Sequence, residues 1–251
     1  MESLAELGTS VQTAAGAPLL SLRGVSKIYG EESAIVHALD GVDLDIASGE
    51  FVAITGPSGS GKSTTLSILG CLDLPTAGEY RIEGVPVQDL RPDVLAALRN
   101  SRFGFIFQTF NLLARTSALE NVALPLVYAG AASRERERRA REALAAVGLA
   151  GREDARPNQL SGGQQQRVAI ARAIINNPEV ILADEPTGNL DSKMGAEIMR
   201  LITYLNQDRG ITVLIVTHDP ACAAYAPRHV VFRDGRILAD ETSKQAKQVS
   251  P

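Results

Sequence analysis

Apolar and polar residues alternate in some short segments of the chain and form continuous apolar runs in others. Val42, Leu44 and Ile46 alternate with polar residues, which is typical of a strand with one face in the core and one in solvent. Continuous runs such as residues 51–54 indicate strands buried on both faces, as in a parallel sheet. The pattern predicts strands at residues 20–25, 38–46, 51–55, 103–107, 180–183 and 212–217.

Helical periodicity follows several of these strands, and predicts helices at residues 63–72, 164–176 and 193–207. Strands that alternate with helices favour an α/β fold with a mostly parallel sheet, while the first two strands favour an antiparallel β subdomain. Residues 109–159 lack strand-like runs and are dominated by Ala, Leu, Arg and Glu, which predicts a mostly helical segment.

The helical segment contains a dense run of charged residues. At the i to i+4 spacing, Glu135 is expected to face Arg139 and Glu137 to face Arg141 on a solvated helix face.

These elements predict one folded domain at residues 19–240, with residues 109–160 as a helical subdomain inserted in the α/β core. A loop is expected at residues 30–33. Residues 1–18, rich in Ala, Gly, Ser and Thr, are expected to form a flexible tail, and residues 241–251 a polar tail.

Composition narrows the classes of function. The chain has 251 residues, is 45% apolar, and contains neither a run of about 18 apolar residues nor a signal peptide, so any membrane role is expected to be peripheral. Its 29 acidic and 25 basic residues give a net charge of −4, which argues against nucleic acid as a partner. Cys71 and Cys222 lack metal-ligand spacing, and buried reduced thiols are expected.

A phosphate-binding motif lies between a predicted strand and a predicted helix. Residues 56–63 match Gly-x-x-x-x-Gly-Lys-Ser, in which backbone N–H groups surround phosphates and the helix directs its positive end at them. Lys62 adds a cation, and Ser63 offers a hydroxyl to Mg²⁺. The predicted phosphate-binding residues are Gly56, Pro57, Ser58, Gly59, Ser60, Gly61, Lys62 and Ser63.

Polar residues end three other predicted strands, where an α/β sheet places its ligand-facing side chains. Asp184 is a candidate ligand of Mg²⁺, and Glu185 a candidate to polarise the water that attacks the γ-phosphate. His218 is expected at the same edge of the sheet, within reach of that phosphate. Gln108 follows another strand, where its amide is placed to orient water or Mg²⁺.

Residues 160–164, Leu-Ser-Gly-Gly-Gln, precede a predicted helix, with Ser161 placed as its N-cap. They form a second helix start suited to an anion. One nucleotide does not need two such sites from one chain. We therefore expect this element to close over ATP held by a second copy, in a head-to-tail pair with two-fold symmetry.

With these motifs the chain resembles the ATP-binding subunits of ABC transporters, over nearly all of residues 19–240. The resemblance implies a P-loop NTPase fold with a RecA-like core, and hydrolysis of Mg-ATP. It implies that Tyr29 stacks on adenine and that the phosphate loop extends to Thr64. It assigns Gln108 to the Q-loop, Ser161, Gly163 and Gln164 to the signature that contacts the partner's nucleotide, Asp184 and Glu185 to Walker B, Asp191 to the D-loop, and His218 to the switch histidine.

Segments 70–73, 107–113, 163–167 and 185–191 are similar to the macrolide-export and lipoprotein-release branch, including Asn189, whose local contact the sequence leaves unexplained. In that branch's macrolide exporters the ATPase is usually fused to its permease. Because this sequence stops after the ATPase, we expect a stand-alone subunit, bound peripherally at the cytoplasmic face of the inner membrane. The expected partners are a separate permease and a second copy, with a periplasmic adaptor as a further candidate.

Three alternatives remain open at this point. One is a lipoprotein-releasing or cell-division-type ABC ATPase. Another is a non-transport ABC ATPase, although its usual coiled-coil insertions, tandem domains or basic surfaces are not found. The third is a module that holds ATP without hydrolysing it, against which Glu185 and His218 both argue.

The resemblance also implies that residues 109–128, with the Q-loop, hold a coupling helix of the permease. The apolar residues of this segment are predicted to belong to the core rather than to that interface. They are Phe110, Leu112, Leu113, Leu119 and Leu124.

Overall fold

Two β-sheets form the framework of this computed structural model, which describes residues 18–30 and 35–242. In the first sheet all neighbours are antiparallel, in the order β2-β1-β4-β5. Its strands are β1 (Leu20–Tyr29), β2 (Val36–Ile46), β4 (Ala77–Ile82) and β5 (Val85–Pro86).

The second sheet has the order β10-β9-β3-β8-β7-β6, and only β10 runs antiparallel to its neighbour. Its strands are β3 (Phe51–Thr55), β6 (Phe103–Phe107), β7 (Val180–Asp184), β8 (Thr212–Val216), β9 (Arg228–Arg233) and β10 (Arg236–Thr242). The α-helices of the described residues are α1 (Lys62–Leu69), α2 (Pro92–Arg102), α3 (Ala118–Tyr128), α4 (Ser133–Ala146), α5 (Gly162–Ile174), α6 (Ser192–Gln207) and α7 (Pro220–Ala223).

Successive residues of the central strands pack into two different cores. In β7, Ile181 and Ala183 join the core with α3, α4, α5 and α6, whereas Val180 and Leu182 join the core with α1 and the antiparallel sheet. Both faces of β7 are therefore buried. This explains why β3, β7 and β8 read as continuous apolar runs, while Val42, Leu44 and Ile46 of β2 alternate with exposed residues.

The register of the parallel strands aligns the ends of four of them in one row. Ile54 of β3 pairs with Val216 of β8, Val216 with Asp184 of β7, and Asp184 with Phe107 of β6. Because these strands run in the same direction, the residues that follow the row leave the sheet at a single edge.

The predicted α/β architecture with an antiparallel β subdomain is confirmed. The predicted bounds of β3 and β6 are confirmed, while helix 63–72 was predicted too long and the first strand too short. Both cysteines are buried and free, and burial raises the pKa of Cys71 to about 12 and that of Cys222 to about 11.

Two local predictions were only partly right. Glu137 pairs with Arg141 as expected, but Glu135 pairs with Arg138 at i+3, because Arg139 turns to the carbonyl oxygen of Ile175. Of the five residues predicted for the core in segment 109–128, none is fully buried: Leu113 is exposed, and Phe110, Leu112, Leu119 and Leu124 are half-buried. The prediction holds in part for Leu112 and Leu119 and is wrong for Leu113. Leu112 and Leu119 pack against the edge of the core, and Leu124 lines a surface groove.

The elements that the pattern missed are β4, β5, α2, β9, β10 and α7. Helices α3 and α4 lie in the predicted helical insertion, whose bounds at 109–160 stay a prediction. The predicted tails and loop lie almost wholly outside the described residues, at 1–17, 31–34 and 243–251.

Candidate functional site

The loop between β3 and α1 is a tight, glycine-dependent turn. Gly56 and Gly61 have φ angles of +144° and +102°, and a Cβ at these positions would lie 2.2 Å from the Phe232 carbonyl oxygen and 2.5 Å from that of Ala38. Only glycine fits these two positions of the loop without strain. Pro57, Ser58 and Gly59 lie at its tip, and Thr64 is half-buried in the first turn of the helix.

Lys62 folds back over this loop. Its Nζ atom donates hydrogen bonds to the carbonyl oxygens of Gly56 and Pro57, at 2.9 and 2.7 Å, and only 8% of the residue is exposed. A cation held this way at a helix start is placed for an anion that enters the loop.

The loop also contains an unpaired polar atom. Ser60 Oγ is buried and has no hydrogen-bond partner among the described residues. A buried hydroxyl without a partner is costly, and a phosphate oxygen could accept a hydrogen bond from it. The geometry of the loop therefore fits a polyphosphate through the unpaired hydroxyl, the buried cation and the glycine turn.

Ser63 and Asp184 meet at the same edge of the sheet. Ser63 Oγ donates to Asp184 Oδ1 at 3.3 Å. Burial raises the pKa of Asp184, and the neighbouring charge of Glu185 raises it further. A hydroxyl beside a carboxylate suits Mg²⁺, which takes one or two protein oxygens together with phosphates and water. No cluster of three or more His, Cys, Asp and Glu suited to a metal is found in residues 18–30 and 35–242.

Glu185 follows Asp184 in a strained conformation, with φ of +46°. One carboxylate oxygen accepts a hydrogen bond from the backbone N–H of His218 at 3.0 Å and meets its Nδ1 at 2.6 Å, while the other accepts from the Thr217 hydroxyl at 3.2 Å. The structure thus brings the predicted base and the predicted switch histidine into direct contact. The hydrogen bond with Glu185, and then its negative charge, raise the pKa of His218.

Gln108 contacts the segment that follows Glu185. Asn189 Nδ2 donates to the Gln108 carbonyl oxygen at 2.9 Å, and Gln108 Nε2 lies 3.5 Å from Asn189 Oδ1. A Cβ at Gly188 would lie 2.8 Å from the same Nε2. The Asn189 contact that the sequence left unexplained is therefore with Gln108. The expected role of Gln108 toward Mg²⁺ stays a prediction.

The second glycine-rich element begins α5. Ser161 and Gln164 form a capping box, in which Ser161 Oγ accepts from the Gln164 N–H and Gln164 Oε1 accepts from the Ser161 N–H. The predicted N-cap is confirmed. Gly163 is buried, and a Cβ there would lie 2.4 Å from Met194 Cε, so the start of α5 sits directly on α6. Asp191 caps α6 by accepting from the N–H groups of Lys193 and Met194.

The two glycine-rich helix starts are anchored on different neighbours. Helix α1 packs on β2, β7 and β8, whereas α5 packs on β6, α3, α4 and α6. Side-chain bonds within the capping box stabilise the start of α5, and Ser161 is exposed there.

Tyr29 ends β1, with 41% of its surface exposed. Its hydroxyl donates to Asp73 Oδ2 at 2.8 Å, and Lys27 Nζ lies 4.9 Å from the centre of its ring. Sequence reasoning assigned no role to Lys27 or Asp73. The only sequence feature that pointed to Asp73 is its place at the end of segment 70–73, one of the segments similar to the macrolide-export and lipoprotein-release branch.

Arg172 was also missed. It lies in α5, and its guanidinium donates to the carbonyl oxygens of Phe110 and Asn111, both of which have positive φ angles. Burial lowers the pKa of Arg172. A half-buried cation thus holds the turn that follows Gln108 against α5.

A groove of about 1010 Å³ opens beside this turn, between β6, α2, α3 and α5. Its floor is aromatic: Phe103, Phe105 and Phe107 follow each other along the edge strand, and the rings of Phe105 and Phe107 are nearly parallel with centres 6.0 Å apart. Leu124 and Tyr128 form part of its wall, and Tyr128 is 75% exposed. No helix in the described ranges, 18–30 and 35–242, has the length and apolar character that a membrane crossing requires.

Comparison with known proteins gives consistent relatives. The family model described as "ABC transporter" matches residues 39–188. The macrolide export ATP-binding/permease protein MacB of Hyphomonas neptunium is 55% identical over 229 residues, which are 91% of this chain and 35% of that protein. The chain thus spans about a third of the length of the curated relatives it matches.

Solved structures of the ATP-binding cassette MJ0796 share the fold with a TM-score of 0.82, and cover 89% of this chain and 98% of theirs. One is a dimer, 49% identical to this chain, and the other is a dimer in a post-hydrolysis state bound to ADP and Pi, 48% identical. The predicted resemblance is confirmed in both sequence and fold.

Proposed function

The chain belongs to the ABC transporter family, and on that premise we propose that it binds Mg-ATP, hydrolyses it to ADP and phosphate, and thereby drives a membrane permease. The observation that carries this proposal is the single row formed by Ile54, Val216, Asp184 and Phe107. It delivers a phosphate loop, a pair of carboxylates, a histidine and a glutamine to one edge of the sheet.

Each end of the nucleotide has its own set of residues in this proposal. Tyr29 stacks on the adenine base. The residues that surround the phosphates are Gly56, Pro57, Ser58, Gly59, Ser60, Gly61, Lys62, Ser63 and Thr64. Ser63 and Asp184 hold Mg²⁺, with Gln108 as a further ligand. The ion supplies positive charge to the oxygens that become more negative during transfer.

Hydrolysis requires a base beside the γ-phosphate. Glu185 accepts a proton from the attacking water, whose oxygen bonds to the γ-phosphorus while the bond to the bridging oxygen of ADP breaks. Lys62 neutralises charge on the transferred group. In this structure Glu185 Oε1 is hydrogen-bonded to both the ring nitrogen Nδ1 and the backbone N–H of His218. To accept a proton from water, Glu185 must therefore loosen its bond with His218 Nδ1. His218 is then free to reach the γ-phosphate.

We infer that two copies complete each site. Ser161, Gly163, Gln164 and Asp191 from one copy close over the nucleotide held by the other, in a head-to-tail pair. The anchoring of α5 away from α1, and the exposed Ser161, support this arrangement. The MJ0796 cassette was solved as a dimer.

The groove over Phe103, Phe105 and Phe107 is proposed to hold a coupling helix of the permease. Its aromatic floor offers apolar surface, and Arg172 joins it to the turn after Gln108, so an occupant of the groove contacts the segment that leads to the nucleotide. This subunit is proposed to act at the cytoplasmic face of the inner membrane. Export of the macrolide type is the proposed transport class, since the relatives carry that name.

The test uses Glu185→Gln, which keeps the size of the side chain but removes the base. We expect it to bind ATP normally, to hydrolyse it at least about 100-fold more slowly, and to accumulate as a dimer with Mg-ATP. Turnover is measured by phosphate release and size by light scattering, with and without Mg-ATP. Glu135→Gln, on an exposed face of α4, is the matched control and should behave as the unmodified chain. Unmodified turnover in Glu185→Gln would remove Glu185 from the role of base.

A further inference from the structure

The carboxylate of Asp73 accepts three hydrogen bonds. Its Oδ1 atom accepts from Lys27 Nζ at 2.6 Å and from the Leu74 N–H at 2.8 Å, while Oδ2 accepts from the Tyr29 hydroxyl at 2.8 Å. Burial raises the pKa of Asp73, but the bonds from Lys27 and Tyr29 outweigh burial, and its pKa is lowered. We call Lys27, Tyr29 and Asp73 the Asp73 cluster.

The Asp73 cluster restrains an aromatic ring that is otherwise open to solvent. The Tyr29 hydroxyl is tied to Asp73, and Lys27 Nζ stands over the ring at 4.9 Å from its centre. Lys27 is held in turn by Asp73 and by the Leu74 carbonyl oxygen at 2.8 Å. The ring is thus fixed at its tip and covered by a cation on one face. Tyr29 remains 41% exposed, so the restrained side chain is still accessible to a ligand from solvent.

Asp73 itself is fixed to the phosphate-loop helix. The N–H groups of Leu72 and Asp73 both donate to the carbonyl oxygen of Ser67, at 2.9 and 3.3 Å, in the last turn of α1. The other end of α1 begins at Lys62, in the phosphate loop. A helix of eight residues spans about 12 Å at 1.5 Å per residue, so α1 sets the spacing between the phosphate site and the anchor of the ring.

We propose that Asp73 is a positioning residue that fixes the Tyr29 ring as the platform for the adenine base, at a set distance from the phosphate loop. This rests on the proposed binding of ATP. A free tyrosine at a strand end would lose rotamer freedom each time a base stacks on it, whereas a ring already held by Asp73 loses little. Segment 70–73 thereby gains a function: it connects the base end of the site to the phosphate end.

The test separates the base from the phosphates. Binding of Mg-ATP and of Mg-tripolyphosphate, which has no base, is measured by calorimetry on the full chain, together with KM and kcat for ATP hydrolysis. Asp73→Ala should weaken ATP binding and raise its KM by about three- to tenfold, the range of one aromatic contact. Affinity for tripolyphosphate and kcat at saturating ATP should not change.

Tyr29→Phe keeps the ring and removes only its hydroxyl, so it breaks the same bond from the other side. The Asp73→Ala/Tyr29→Phe double variant should therefore bind ATP with the same affinity as Asp73→Ala alone. Asp45→Ala is the matched control, because Asp45 also holds a cation of β1, Arg23, at 2.6 Å in the antiparallel sheet. It should leave both affinities unchanged.

Four results would overturn the proposal. The first is ATP affinity in Asp73→Ala within twofold of the unmodified chain. The second is equal weakening of ATP and tripolyphosphate, which would mean that the substitution damages the phosphate loop rather than the platform. The third is additive losses in the double variant. The fourth is an unmodified chain that binds tripolyphosphate but does not prefer ATP, which would rule out the platform and leave the phosphate site intact. If the unmodified chain bound neither, the proposed function itself would fail.

Discussion

One carboxylate oxygen of Glu185, Oε1, contacts His218 twice: it lies 2.6 Å from His218 Nδ1 and 3.0 Å from the backbone nitrogen of His218. The imidazole is 74% exposed and the carboxylate only 16%. The pair therefore joins an exposed, titratable imidazole to a carboxylate at the sheet edge that is proposed to act as the base. In this conformation Glu185, which is proposed to activate water, is hydrogen-bonded to His218, which is proposed to contact the γ-phosphate.

The contact predicts a pH dependence that belongs to the pair. The hydrogen bond with Glu185, and then its charge, raise the pKa of His218, so the pair is strongest when the imidazole is protonated. Its contribution to stability is present below the unfolded histidine pKa of about 6.5, and is lost as pH rises through the higher folded value. We expect the NMR titration of His218, assigned with His218→Gln, to move to lower pH in Glu185→Gln. An unchanged titration would mean that the pair does not form in solution.

Lys62→Ala removes a cation that is held in the phosphate loop by two carbonyl oxygens. Charged hydrogen bonds to phosphate contribute about 1.5–3 kcal/mol each, so we expect ATP binding to weaken by about 100-fold or more. Calorimetry with Mg-ATP measures the loss. Arg200→Ala, an exposed cation of α6, is the control and should bind ATP as the unmodified chain does. An unchanged dissociation constant for Lys62→Ala would contradict the assignment of the loop.

The apolar pattern predicted the central strands because their two faces both pack in cores. The same logic could not find β4, since in Ala77–Ile82 only Tyr80 and Ile82 are buried and the strand is short. The hairpin of β9 and β10 was missed although Asp234 and Gly235 supply a turn dipeptide between them, both with positive φ angles. Attention to that dipeptide would have found it.

The chemical groups of the site were predictable from local motifs, but their contacts were not. Gln108 and Asn189 are 81 positions apart, and Tyr29 and Asp73 are 44 apart. Which residues face each other is set by strand register and by the path of α1, and neither is a property of any one segment. For the same reason, the expected Glu135–Arg139 pair was wrong: the Ile175 carbonyl oxygen, on another element, accepts from Arg139.

Gly188→Ala should disturb Gln108 more than the fold. The new Cβ would lie 2.8 Å from Gln108 Nε2, at the far end of a flexible side chain that can move aside. We expect a fall in kcat of about tenfold, because a small misplacement at an active site is costly, with little change in Tm. Gly195→Ala is the matched control. The new Cβ would lie 3.5 Å from Thr187, an ordinary van der Waals distance. Because Gly195 lies within α6, alanine there should stabilise the helix by about 0.5–1 kcal/mol. Equal kcat values for both variants would exclude the Gly188 contact.

Tyr128→Arg tests the groove without touching the nucleotide site. Tyr128 is 75% exposed at the groove wall, so an arginine there should weaken docking of an apolar helix while the isolated chain hydrolyses ATP at its usual rate. The measurement is the fraction of the chain that sediments with membranes of its host, compared with ATPase activity in solution. Tyr204→Arg is the control, because Tyr204 is 49% exposed on α6 and is not among the groove residues. Equal membrane binding by both variants would place the docking surface elsewhere.

Ser161 offers the sharpest test of the composite site, because its role in capping α5 can be separated from its proposed role toward the partner's nucleotide. Asp and Asn cap helices about as well as Ser, so Ser161→Asp and Ser161→Asn should both fold with an unchanged Tm. They differ only in charge. An aspartate facing the γ-phosphate of the other copy repels it, and like charges in contact cost several kcal/mol, so turnover should fall by about 100-fold in Ser161→Asp alone.

The same pair of variants distinguishes ATP binding within one copy from contact with the nucleotide of the other copy. ATP binding to the monomer, measured below the concentration at which dimers form, should be the same in Ser161→Asp and Ser161→Asn. When Glu185→Gln is added to each, Mg-ATP should produce a dimer of the Ser161→Asn chain but not of the Ser161→Asp chain, because only the aspartate repels the nucleotide across the interface. Equal turnover and equal dimerisation would mean that the start of α5 does not approach a phosphate, and that the head-to-tail arrangement is wrong.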